Sequence, residues 1–207
     1  MSIISKIAIG AFGVGGIAGG SILLARNLSN EDTLASKLES EGFIPMGTGD
    51  TQWSNTLIEY NKVKGVAEEV FKTSSVDLTI EQLKNQCLSI LKSGSYSKTD
   101  KNKASRWCTI PITIQTRIEK QGRRILNDVD NKQDDKDTWV SLVQKHLTTD
   151  ENKRMPVSIN ALQDGTVDDT RINAMKDGCR KLKSKTSLEK TYLDDYSKFH
   201  DWCSVPK

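Results

Sequence analysis

Trp107-Cys108-Thr109-Ile110-Pro111 recurs near the other end of the chain as Trp202-Cys203-Ser204-Val205-Pro206, every position shifted by 95. With only four Trp and four Cys in 207 residues, a repeated Trp-Cys pair is a specific mark of internal duplication. Toward the N-terminus the correspondence continues. Ile80-Glu-Gln-Leu83-Lys84-Asn-Gln-Cys87-Leu-Ser-Ile90 aligns without a gap onto Ile172-Asn-Ala-Met175-Lys176-Asp-Gly-Cys179-Arg-Lys-Leu182 at a shift of 92, with apolar residues and Cys in register. Asp50-Thr51-Gln52-Trp53 pairs with Asp137-Thr138-Trp139 at a Trp shift of 86, and Leu34 to Gly42 matches Ile114 to Gly122 at 80. Shifts that only grow along the chain describe co-linear copies with small loop insertions. The expected division is an anchor at 1–26, unit 1 at 29–111 and unit 2 at 112–207.

Each unit reads as helices, so the expected fold class is all-α: an N-terminal membrane helix followed by two tandem related helical units, each closed by one disulfide. In unit 1 a helix is expected after a Ser29/Asn30 cap, with Glu31 and Asp32 in its first turn, stopping at Gly42. A second is expected from the Asp50/Thr51 cap through Trp53, Leu57 and Tyr60, with continuation through Val66, Val70 and Phe71 left open. A third starts near Thr79, with Ile80, Leu83, Cys87 and Ile90 on one stripe. Unit 2 repeats these as Ile112 to about Leu126, Thr138 to His146 and Asp169 to Lys183. A further helix is expected from Ser187 to Trp202. Nothing in the sequence reads as a sheet.

Six of the fourteen glycines fall within Ile7 to Ala25, an uncharged stretch of 19 residues bounded by Lys6 and Arg26. At about 1.5 Å per residue such a helix reaches roughly 28 Å, close to the hydrocarbon thickness of a bilayer. A transmembrane anchor is the leading reading. Gly15/Gly19 and Gly16/Gly20 form small-xxx-small faces for packing against another membrane helix, hence self-association. A cleaved signal peptide ending at Ala18-Gly19-Gly20 stays open as the alternative. Gly13-Val-Gly15-Gly16-Ile-Ala18 also matches G-x-G-x-x-[GA]. A Gly-rich apolar stretch produces that pattern by chance, and no strand–helix alternation follows it.

Cys87 and Cys108 occupy the places of Cys179 and Cys203. One complete pair per unit makes Cys87–Cys108 and Cys179–Cys203 the simplest of the three connectivities, with Trp107 and Trp202 covering the bridges. Four buried thiols, or a Cys₄ zinc site, remain as alternatives, the latter opposed by the lack of any C-x₂-C pair. Charges flanking the apolar stretch do not select a topology. Disulfides imply an oxidising compartment, and with it an extracellular C-terminal portion.

No catalytic constellation is visible, and neither a metal nor another cofactor is expected. His146 and His200 lie outside any H-E-x-x-H or nucleophile pattern and read as surface or helix-end residues. Asp128-Val-Asp130-Asn131-Lys-Gln-Asp134-Asp135-Lys-Asp137 has the acidity of a calcium loop but lacks its central Gly and distal Glu, and reads as a solvated connection. Lys101, Lys103, Arg106, Arg117, Lys120, Arg123 and Arg124 read as solvated helix faces diluted by nearby acids. At a net charge of +3 they do not indicate nucleic-acid binding.

With its Gly-rich apolar start, polar helical remainder and recurrent Trp-Cys segment, the chain resembles the large paralogous families of uncharacterised, membrane-anchored proteins of haemotropic mycoplasmas. That resemblance implies surface display with roles in host-cell contact or antigenic variation, and carries over no functional residue. The expected function is a single-pass surface protein that meets a host-cell surface protein and has no catalytic activity. The alternative is an envelope component self-associating through its membrane helix.

Overall fold

The computed structural model describes residues 32–162 and 165–207. The expected anchor, including Gly15, Gly16, Gly19 and Gly20, lies outside them. Among the described residues no helix is long and apolar enough to cross a membrane. The chain is mostly helical: α1 Leu34–Ser40, α2 Trp53–Lys62, α3 Ile80–Leu91, α4 Lys98–Trp107, α5 Ile114–Lys120, strand β1 Arg123–Ile125, α6 Lys136–Thr148, α7 Asp169–Lys183, α8 Tyr192–Cys203 and strand β2 Ser204–Pro206.

Local chemistry sets the helix ends. The Thr33 hydroxyl accepts the Ser36 N–H at 3.3 Å to start α1, and Thr113 accepts the Thr116 N–H at 3.1 Å to start α5, each satisfying an orphan donor of the first turn. Both helices stop at a left-handed glycine, Gly42 at φ +88° and Gly122 at φ +73°, a conformation costly for a residue with a Cβ. A Thr79/Gln82 capping box opens α3, and Asp168 caps α7 through the Arg171 N–H at 2.9 Å. A Ser97/Asp100 box opens α4.

Backbone hydrogen bonds recur at the shifts seen in the sequence. The Leu34 N–H donates to Ser93 O at 2.9 Å, as Ile114 does to Lys185 O at 3.0 Å. The Met46 N–H donates to Cys108 O at 2.9 Å, as Leu126 does to Cys203 O at 3.0 Å. Side chains follow suit. Trp53 Nε1 donates to Gly47 O at 2.7 Å and Trp139 Nε1 to Asn127 O at 3.1 Å. Tyr60 meets the Trp107 ring edge-on at 5.2 Å, and His146 meets Trp202 at 5.7 Å.

Several expectations need correction. α1 starts at Leu34 with Thr33 as its cap, and the expected Ser29/Asn30 cap lies outside the described residues. α2 stops at Lys62, and its continuation, left open above, is absent: residues 63–71 are turns and bends. The helix expected to reach Leu126 ends with α5, because Gly122 turns the chain into β1. This strand pairs antiparallel with β2, Ile125 opposite Ser204, and Pro45 opposite Thr109 forms the matching bridge in the first half. Strand pairing is therefore present where none was expected. α4 was not foreseen, since Lys98-Thr-Asp-Lys-Asn-Lys-Ala104-Ser105-Arg-Trp107 buries only Ala104, Ser105 and Trp107. α7 spans the expected residues, and α8 starts at Tyr192 instead of Ser187.

Candidate functional site

Both bridges are formed: Cys87 to Cys108 and Cys179 to Cys203, with Cα separations of 5.3 and 5.7 Å. Each joins the buried stripe of a long helix, α3 or α7, to the end of the helix that follows it in space. Sulfurs and tryptophans are almost fully buried. Trp107 Nε1 donates to Glu69 O at 2.6 Å and Trp202 Nε1 to Lys153 O at 3.0 Å, so each large ring is held by its one polar atom. These residues build the interior and offer no reactive group to solvent.

The two halves meet elsewhere, through side chains treated above as solvated. Arg117 on α5 is buried at 4% exposure. Its guanidinium lies 4.1 Å from the Phe43 ring centroid on one half and 3.9 Å from Tyr196 on the other. Its Nε donates to Glu41 O at 2.9 Å, joined there by Gln121 Nε2 at 2.9 Å. Arg106 on α4 crosses the same junction, donating from Nε to Leu188 O at 2.7 Å and from Nη1 to Glu69 at 2.8 Å. Lys190 holds the other Glu69 oxygen at 2.9 Å. The reading of these arginines as solvated faces is thus overturned. Arg123, hydrogen-bonded to Ser204 O at 2.8 Å, and Arg124, bidentate on Asp135, are likewise engaged.

Electrostatics follow the geometry. Hydrogen bonds from Arg106 and then Lys190 hold the Glu69 carboxyl below the usual carboxylate range, against the opposing effect of burial. Burial pushes the Tyr192 hydroxyl up to about 12, against the pull of the Arg117 charge. Beside the junction opens a cleft of about 340 Å³, lined among others by Glu68, Lys103, Arg106, Glu189, Lys190 and Leu193. Its size suits a small ligand or a single protruding side chain. Its walls carry both charges.

Two further readings change. His146 is buried at 2% exposure and donates from Nε2 to Met155 O at 3.0 Å, while Nδ1 has no partner among the described residues. Its place corresponds to Tyr60, a core position. His200 lies in the last turn of α8 beside Asp201, at 2.7 Å. The acidic connection 128–137 is not simply solvated: Asp128 is largely buried and folds, with its neighbours, around the ammonium of Lys176. Among the described residues no cluster of His, Cys, Asp and Glu is placed to hold a metal.

The register of the duplication located the cysteines and tryptophans. It could not locate Arg117, Arg106 or Glu69, because their role is set by contacts between the halves, where the copies differ: Lys37 stands for Arg117 and Asp201 for Arg106. No family model, curated protein or solved structure matches the chain.

Proposed function

We propose that the chain is a membrane-tethered interaction module, displayed on the outside of the cell, whose two disulfide-closed halves present a recognition surface to a host-cell protein without catalysing a reaction. One observation carries this reading: all four cysteines are consumed in two matching, fully buried bridges, a use of cysteine that belongs to oxidising compartments. The uncharged stretch Ile7–Ala25 supports a tether, and the resemblance to haemotropic mycoplasma surface families supports host contact or antigenic variation. The cleft of about 340 Å³ beside the junction of the halves is a candidate surface for that partner. Protease treatment of intact cells tests the display: loss of the full-length protein without lysis is expected, and protection until lysis overturns it.

A further inference from the structure

Lys176 is the most deeply buried lysine described, at 1% exposure. Its Nζ donates to Val129 O at 2.8 Å and to Lys132 O at 3.1 Å, and lies 6.0 Å from the centroid of the Trp139 ring. A buried ammonium is tolerated only where fixed oxygens replace its water. The connection between β1 and α6 supplies them by curling back on itself, with Asn131 at φ +59° and Asp135 at φ +63°, both in the left-handed region. Three carboxylates of this connection are matched by cations, Asp128 by Lys183 at 2.6 Å, Asp130 by Arg180 at 2.8 Å and Asp135 by Arg124 at 2.8 Å, while Asp134 accepts from the Asn127 amide at 3.0 Å. The oxygens that Lys176 Nζ touches are two neutral carbonyls, with the Arg124-paired Asp135 carboxylate near enough to feel its charge. Next to it sits a small, partly open cavity of about 10 Å³, the size of one water, bordered by Asn131, Asn173 and Asp169.

Unit 1 contains the control. At the corresponding place it carries Lys84, which is only half-buried. The shift between the copies grows from 80 to 86 across this connection, so unit 2 has six more residues here (86 − 80) and uses them to enclose its lysine.

We propose that the connection Asn127–Asp135 is a cation-binding loop whose ligand is supplied in cis by the Lys176 ammonium, and that removing this side chain uncovers a site for a monovalent cation. Two neutral carbonyls as the direct ligands, beside carboxylates that are paired or hydrogen-bonded within the loop, suit ammonium or potassium better than calcium, which takes carboxylates among its ligands.

The test compares Lys176→Ala, which vacates the site, with Lys176→Met, which fills it with an apolar stem, in 100 mM ammonium, potassium or choline chloride. Both variants are expected to lose about 5–10 °C in Tm in choline chloride. Lys176→Ala should regain at least half of that loss in ammonium or potassium chloride, while Lys176→Met and the unaltered chain should not respond to the choice of cation. Equal Tm of Lys176→Ala in ammonium and choline, or rescue by millimolar calcium instead, overturns the proposal. If Lys176→Ala does not fold, NMR of the unaltered chain decides. A slowly exchanging Lys176 ammonium resonance is expected, and exchange as fast as that of exposed lysines contradicts the cage.

Discussion

Gly178 sits inside α7, where helix propensity favours alanine by about 1 kcal/mol. The structure opposes the exchange. A Cβ built on Gly178 would stand 2.6 Å from Val157 Cγ1 and 2.9 Å from Met155 Cε, because residues 155–157 lie directly on the helix. Met155 can withdraw its flexible end, but the branched carbon of Val157 is fixed close to its backbone. Overpacking of this kind costs about 1–3 kcal/mol, so Gly178→Ala should be destabilising by up to about 2 kcal/mol after the propensity gain. In a Val157→Ala background the obstructing methyl is gone, and the same substitution should be stabilising by up to about 1 kcal/mol. The assay is urea unfolding of the four members of this double-mutant cycle, read at constant m value. Gly178→Ala stabilising the unaltered background, or an additive cycle, would refute the packing of residues 155–157 on α7.

Further outcomes follow from the bridges and the junction. Replacing both cysteines of either bridge by alanine opens a loop of sequence separation 21 or 24, and the chain-entropy relation assigns each roughly 3.5 kcal/mol. Thermal unfolding should drop by about 7–14 °C per bridge. Glu69, held below its ordinary pKa, stabilises the fold above the unfolded-state value and loses that contribution as pH falls through its lower folded value. Glu69→Gln should therefore flatten the decline of Tm with acid between about pH 5 and pH 3. Tyr192 has the opposite sense: its raised pKa stabilises below 10 and is lost as pH rises toward about 12, so Tyr192→Phe should resist alkaline unfolding better than the parent. Arg117→Ala removes the stack between Phe43 and Tyr196 and should loosen the junction, increasing amide exchange there while leaving both bridges intact.

The parts legible in the sequence were those that the duplication states twice. Cys87 and Cys179 share a register, as do Cys108 and Cys203, so the bridges could be paired before any geometry was known. α7 was legible because Ile172, Met175, Cys179 and Leu182 keep helical spacing behind an Asp cap. α4 was not, because Lys98–Arg106 has no apolar period and folds on a capping box and the anchoring of Trp107. β1 was hidden because Arg123, Arg124 and Ile125 resemble the end of a helix until Gly122 reverses the chain. The junction was least legible. Arg117 and Arg106 look like surface cations along their own helices, and only the approach of Phe43, Tyr196, Leu188 and Glu69 from distant segments turns them inward.

The central claim, two matching halves each closed by its own bridge in an oxidising compartment, is tested most directly in the native protein. Cells are treated with a membrane-permeant alkylating agent before lysis, and the protein is digested and mapped without reduction. The expected result is Cys87 linked to Cys108 and Cys179 linked to Cys203, with no alkylated cysteine. Alkylation of these residues, or a bridge from one half to the other such as Cys87 to Cys179, would contradict the claim.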